Sequence, residues 1–122
     1  MQPETGAPRR RHVLLTEDDY WLAKELAESL AASGVDVIGP VASVEAAITR
    51  IEREALDGAI LDATLLDGDI GPVADLLDRR GVPFVLLTSR GDGEIPPRFR
   101  NRPRRDKPAP AAELLGMLFG GD

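Results

Sequence analysis

Short apolar runs alternate with amphipathic stretches along almost the whole chain. His12-Val13-Leu14-Leu15 reads as a short buried strand. Asp19 is a candidate N-cap for a helix over about 20–33, in which Leu22, Leu26 and Leu30 recur every fourth residue beside Ala23 and Ala27. Gly34 suits the position just past that helix. Residues 35–38 predict a second strand, and Gly39-Pro40 predicts a turn after it. Ser43 caps a second helix carrying Val44, Ala47, Ile48, Ile51 and Ala55, with Gly58 near its end. A third strand follows over 59–61. After the loop containing Asp67-Gly68-Asp69, Pro72 opens a helix whose apolar face is Val73, Leu76 and Leu77, and Gly81 ends it. Residues 82–87 are continuously apolar, as in a parallel strand covered on both faces.

The pattern then thins. Gly91, Gly93, Pro96, Pro97 and Pro103 lie between Thr88 and Lys107. Proline removes helix donors and each glycine costs about 1 kcal/mol, so a regular helix is not expected there. A long irregular loop with room for one helical turn, then a short last strand near 102–106, fits better. Pro110 opens a final helix with Leu114, Leu115, Leu118 and Phe119. Five strand-like runs with helices between them imply right-handed crossovers and a doubly wound, five-stranded parallel α/β sheet whose fourth helix is reduced or missing.

Composition narrows the class. A chain of 122 residues, 43% apolar and 30% charged, forms one domain with a real core. No apolar run approaches the roughly 20 residues of a membrane span. Residues 1–11 lack the apolar centre of a signal peptide and read as a disordered tail before a domain over 12–119. Those margins leave no space for a DNA-binding output domain, so function is expected to pass through protein contacts. The absence of cysteine excludes disulfides and thiolate metal sites, and a cytoplasmic location fits. A net charge of −6 argues against general nucleic-acid binding. Arg98, Arg100, Arg102, Arg104, Arg105 and Lys107 form a basic run, read as a solvated loop or as a contact for an acidic partner.

Four polar signals stand where the apolar runs break off. Glu17-Asp18 follows the first run, Asp62 closes the third, Thr88 closes the fourth, and Lys107-Pro108 precedes the last helix. In a parallel sheet all four meet at the carboxyl edge, where α/β proteins bind ligands. Asp62 is then a candidate nucleophile, since a carboxylate that attacks a phosphoryl group forms an acyl phosphate. Glu17, Asp18 and Asp62 held together repel one another unless a cation neutralises them, and an all-oxygen site suits Mg²⁺. Lys107 supplies a mobile positive charge to phosphoryl oxygens. Thr88 offers a hydroxyl that bonds the phosphoryl group only once it is present, which makes it a switch element. No residue is an obvious base for rapid hydrolysis, so a stored phosphoryl group fits better than turnover.

These motifs, in this order and spacing over about 12–119, resemble the signature of response-regulator receiver domains. The acidic pair corresponds to Glu17-Asp18, the phosphoacceptor and its Asp-Gly loop to Asp62-Ala63-Thr64-Leu65-Leu66-Asp67-Gly68, the hydroxyl to Thr88 and the Lys-Pro to Lys107-Pro108. The resemblance implies a flavodoxin-like fold of strand order 2-1-3-4-5. It implies Mg²⁺ held by Asp18, Asp62 and the backbone carbonyl of Thr64, with Glu17 acting through water. It also implies phosphoryl transfer from a histidine kinase or histidine phosphotransfer protein, then a downstream protein partner or a phosphorelay. Pro83-Phe84, the thin segment after Thr88, and Pro97-x-Phe99 further resemble receivers with a Phe-Ala-Thr-Gly-type fourth strand, which work with HWE and HisKA2 kinases, often in stress signalling. Leu86-Leu87-Thr88-Ser89 departs from that motif.

Other departures matter for output. Arg104 stands where most receivers carry Tyr or Phe, Ala109 follows Lys-Pro in place of Phe, and the last strand is charged. Trp21 lies off the Leu22–Leu26–Leu30 stripe, beside the acidic pair. Trp21 and Arg104 are therefore candidate docking residues for a protein partner. Two alternatives share part of the pattern. One is a receiver fold that acts as an interaction module without phosphorylation. The other is a haloacid-dehalogenase-like phosphohydrolase, against which Thr64 stands where that class usually has an acid.

Overall fold

The computed structural model describes residues 9–89 and 91–120. In chain order the elements are β1 (His12–Thr16), α1 (Tyr20–Ala32), β2 (Asp36–Val41), α2 (Val44–Arg53), β3 (Gly58–Asp62), β4 (Thr64–Leu65), β5 (Gly68–Asp69), α3 (Gly71–Arg79), β6 (Phe84–Thr88), two 3-10 turns (Gly91–Glu94 and Pro97–Phe99), β7 (Arg104–Asp106) and α4 (Ala111–Phe119). The main sheet is parallel with order β2-β1-β3-β6-β7. This is the expected order 2-1-3-4-5, because β4 and β5 form a separate antiparallel ribbon.

Alternation along the strands splits the core into two layers. Val13 and Leu15 of β1, Ile60 of β3, and Val85 and Leu87 of β6 pack with Leu30 of α1 and Leu114 of α4. Leu14, Leu61 and Leu86 point the other way and pack with Ile51 of α2 and with Val73 and Leu77 of α3. Full burial of a Leu or Ile contributes about 1.5–3 kcal/mol, so the three central strands anchor the domain. Gly58 opens β3 where Phe119 of α4 packs close: a Cβ there would sit 3.0 Å from the ring.

Helices α1 and α2 start on local side-chain caps. Asp19 accepts from the N–H groups of Trp21 and Leu22, and Ser43 accepts from that of Ala46. A second cap on α2 comes from far along the chain. The Asp67 carboxylate accepts from Val44 N–H at 2.6 Å and Glu45 N–H at 3.2 Å, and the Val44 bond is the main cause holding its pKa below the usual range. The β4–β5 ribbon is thereby tied to the α2 N-terminus. Helix α2 ends at Arg53, so Ala55 lies beyond it rather than on its apolar face.

Gly39-Pro40 does not turn the chain. Strand β2 runs through both residues with a bulge: Leu14 pairs with Ile38, while Thr16 pairs with Val41. Two features permit this. An edge strand tolerates a proline that donates no ladder bond. Gly39 takes φ +108°, where a Cβ would lie 2.8 Å from the Leu15 carbonyl oxygen. The bulge carries Val41 alongside the acidic pair, and its carbonyl accepts from Glu17 N–H at 2.9 Å.

Among the described residues, no α-helix lies between β6 and β7. Ile95, just after the first 3-10 turn, and Phe99, in the second, are buried in the layer shared with α2 and α3. Phe99 meets Phe84 edge to face at 6.1 Å, and the Arg102 guanidinium lies 4.5 Å over the Phe84 ring. The basic run is largely exposed and balanced by acidic residues of the body, as a solvated loop. Arg98 pairs with Asp75 and Arg102 with Asp78 on α3, Arg105 pairs with Glu113 on α4, and Arg104 donates to the Arg100 carbonyl. These charges clamp a helix-poor segment to its neighbours. Of the expected tail, residues 1–8 lie outside the described residues, whereas Arg9 pairs with Asp57 and Arg10 with Asp36.

Candidate functional site

The carboxyl ends of β1, β3, β6 and β7 open on one cleft of about 720 Å³, lined by Asp18, Asp62, Thr64, Ser89, Glu94 and Lys107 among others. The parallel topology causes this convergence, since each polar residue ends its strand on the same edge. Carboxylate oxygens of Glu17, Asp18 and Asp62 all lie within 4.8 Å of one another. Glu17 and Asp62 are buried, and Asp18 is exposed at the mouth.

Lys107 reaches into the cluster from the end of β7. Its Nζ lies 2.9 Å from Glu17 Oε1 and 3.0 Å from Asp62 Oδ2. Its backbone N–H donates to the Thr88 carbonyl, which ties β7's exit to β6. Burial pushes the Asp62 carboxyl up to about 7; the hydrogen bond from Lys107 opposes this and the Glu17 charge adds to it. Burial alone would lower the Lys107 amine, but its bonds to Glu17 and Asp62 and their charges outweigh that and hold it above its ordinary value. Three carboxylates therefore face one ammonium, and the cluster keeps an uncompensated negative charge when ionised. That donor set, all oxygen and partly open through Asp18, fits Mg²⁺.

Two residues outside the sequence motifs complete the arrangement. Thr16 is fully buried, and its hydroxyl accepts from Asp62 N–H at 2.9 Å, which fixes the end of β3. Its sequence signal was its place just before the acidic pair. Glu94 carried no signal at all: its Oε1 accepts from the Thr88 hydroxyl at 2.5 Å and from Ser89 N–H at 2.9 Å. Thr88 is fully buried and therefore already engaged. Trp21 and Arg104 stand apart from the cluster. Trp21 is 73% exposed on the first turn of α1, edge-on to the 66% exposed Tyr20 at 5.0 Å. Arg104 sits on β7, opposite Leu86 of β6. A second, largely apolar groove of about 320 Å³ runs between α1 and the start of α4, past Leu22, Leu26, Pro108 and Ala111, and ends at Glu17 and Lys107.

No protein-family model matches the chain. The solution structure of SdrG from Sphingomonas melonis Fr1 is 34% identical, with a TM-score of 0.77 over 89% of this chain and 96% of that one. SdrG in its BeF3-activated conformation, from Pseudomonas melonis Fr1, is 35% identical with a TM-score of 0.74 over 88% and 94%. The non-phosphorylated HemR receiver domain of Leptospira biflexa is 26% identical, with a TM-score of 0.73 over 89% and 91%. The chain belongs to the response-regulator receiver family. Receiver domains are signalling modules of two-component systems, and phosphorylation and Mg²⁺ at an acidic pocket are typical of them. They interact with histidine kinases or phosphotransfer proteins. Membership of this family replaces the haloacid-dehalogenase alternative. Among curated proteins, the transcriptional regulatory protein PdtaR of Mycobacterium tuberculosis is 27% identical over 99 residues, 80% of this chain. The chain spans about half the length of that relative. Among the described residues, no helix of this receiver is long and apolar enough to cross a membrane.

Proposed function

We propose that this receiver takes a phosphoryl group onto Asp62 from a phosphohistidine on a kinase or phosphotransfer protein, stores it, and signals through altered protein contacts or passes it on. The observation that carries this reading is the shared Lys107 ammonium between Glu17 and Asp62 at the carboxyl edge. In the transfer, an Asp62 carboxylate oxygen bonds phosphorus while the phosphorus–nitrogen bond breaks. The bonding pair leaves with the imidazole, which takes a proton. Lys107 favours the reactive, ionised form of Asp62 in opposition to burial and can follow the incoming phosphoryl oxygens on its flexible stem. Thr16 fixes the Asp62 backbone during attack. Mg²⁺, held by Asp18, Asp62 and the Thr64 carbonyl with Glu17 behind it, would neutralise charge on the transferring group. Thr88 is the phosphoryl-binding hydroxyl.

The apolar groove beside α1 ends at Glu17 and Lys107, and so offers a helix of the phosphodonor a seat next to the reacting atoms. Exposed Trp21 and Tyr20 stand on the same helix as docking anchors. HWE or HisKA2 kinases are the donor class this reading favours, supported by two 3-10 turns in place of a fourth helix. A cytoplasmic setting follows from such a donor. The deciding experiment is incubation with Mg²⁺ and acetyl phosphate, followed by intact mass. One added phosphoryl group that Asp62→Asn abolishes supports the proposal. No addition, or addition that survives Asp62→Asn, overturns it and favours a receiver fold that works without phosphorylation.

A further inference from the structure

We propose that Glu94 is an internal stand-in for the phosphoryl group, holding the Thr88 hydroxyl and Ser89 N–H until phosphorylation displaces it. This rests on Asp62 being the phosphorylated residue. Glu94 closes the 3-10 turn Gly91–Glu94 and lines the same cleft as Asp62 and Lys107. One carboxylate oxygen, Oε1, accepts from both donors, at 2.5 Å and 2.9 Å. The donors sit at the end of β6, which pairs alongside β3 and so faces the same edge as Asp62.

Stoichiometry makes the contact a switch. A threonine hydroxyl has one proton to donate, and a backbone N–H has one. Thr88 cannot donate to Glu94 and to a phosphoryl oxygen at once. A phosphoryl group brings close to two negative charges and three acceptor oxygens to the cleft. It therefore competes for the Thr88 proton and repels the Glu94 carboxylate. Release of Glu94 frees the turn that leads into Ile95, which is buried in the core layer. The segment replacing the fourth helix thus senses phosphorylation directly, in a chain where Arg104 occupies the position of the usual switch aromatic.

Beryllofluoride with Mg²⁺, titrated by calorimetry, tests the proposal in a double-mutant cycle. Relative to the parent, Glu94→Ala is expected to bind beryllofluoride about fivefold more tightly, the scale of one net hydrogen bond that no longer competes. In a Thr88→Ala background the same substitution is expected to give a clearly smaller gain, since only Ser89 N–H and the charge repulsion remain contested. Glu94→Gln, which keeps the side-chain size, serves the same cycle should the alanine variant fail to fold. Equal or weaker binding by the Glu94 variants overturns the proposal, as does a gain that persists undiminished without Thr88. Absence of binding in the parent as well overturns the Asp62 reading, and this inference with it.

Discussion

Lys107 Nζ lies 3.0 Å from Asp62 Oδ2, and the same ammonium bonds Glu17 at 2.9 Å. One cation thus offsets two buried carboxylates that arrive from different strands. Removing it leaves both charges buried without their partner, which costs about 3 kcal/mol. Lys107→Ala is expected to lower the unfolding free energy by that order in urea titrations at neutral pH. Adding Asp62→Asn should recover part of the loss. A loss below about 0.5 kcal/mol, the scale of an exposed pair, would show that solvent rather than Lys107 compensates the cluster.

The acidic cluster ties Mg²⁺ to stability. Mg²⁺ that binds only the folded chain is expected to raise Tm as its concentration passes Kd, adding about 2.7 kcal/mol of stability at 100 times Kd. Asp18→Asn and Asp62→Asn should each lose most of that shift, read by differential scanning calorimetry with and without chelator. A full Mg²⁺ shift in both variants would put the ion elsewhere.

Asp67 belongs to the Asp-Gly loop, yet its carboxylate serves α2 by accepting from Val44 and Glu45 N–H. Asp67→Ala is expected to lower Tm, as for loss of a helix cap. Asp67→Ser should recover little of that loss, because the shorter side chain spans the ribbon-to-helix gap poorly. Thermal unfolding of the variants checks the order.

Asp57 accepts from the Arg9 guanidinium and from His12 N–H, and these bonds bring its pKa from 3.8 down to about 2. A carboxylate with a depressed folded pKa stabilises the fold above its unfolded value and loses that contribution as protons bind. Stability is therefore expected to fall between about pH 4 and pH 2, and Asp57→Asn should flatten that limb. The step is no larger than about 1 kcal/mol, because Arg9 is mostly in solvent. An unchanged acid limb in the variant would assign it to other carboxylates.

Trp21 projects into solvent from α1, the helix whose Leu22 and Leu26 line the groove that ends at the site. Trp21→Ala is expected to slow phosphotransfer from the cognate kinase by about tenfold, the scale of a modest interface anchor. Phosphorylation by acetyl phosphate should be unaffected. Equal slowing with both donors would make Trp21 part of the site's support rather than a docking residue.

Local patterns in the sequence determined the strands, the helix faces and the near caps. Val13, Leu14 and Leu15 alternate between two core layers, and Asp19 and Ser43 cap helices through bonds two or three residues away, so short-range periodicity and chemistry suffice for them. The carboxyl-edge gathering of Glu17, Asp18, Asp62 and Lys107 was legible for a related reason: in a parallel sheet every strand ends on a common edge. Tertiary structure alone decided what depended on distant partners. Asp67 reaches the α2 N-terminus across the ribbon, Thr16 holds the Asp62 backbone, and Glu94 takes the Thr88 hydroxyl. Arg98 and Arg102 find Asp75 and Asp78 on α3, which sets the acidic partners that balance the solvated basic run. Gly39-Pro40 reads as a turn in isolation but continues as a bulged strand, because the neighbouring β1 and an open edge make that conformation affordable. Periodicity reports which face a residue shows; only the packed chain sets which partner waits there, since a hydrogen bond depends on a few tenths of an ångström that no spacing along the sequence encodes.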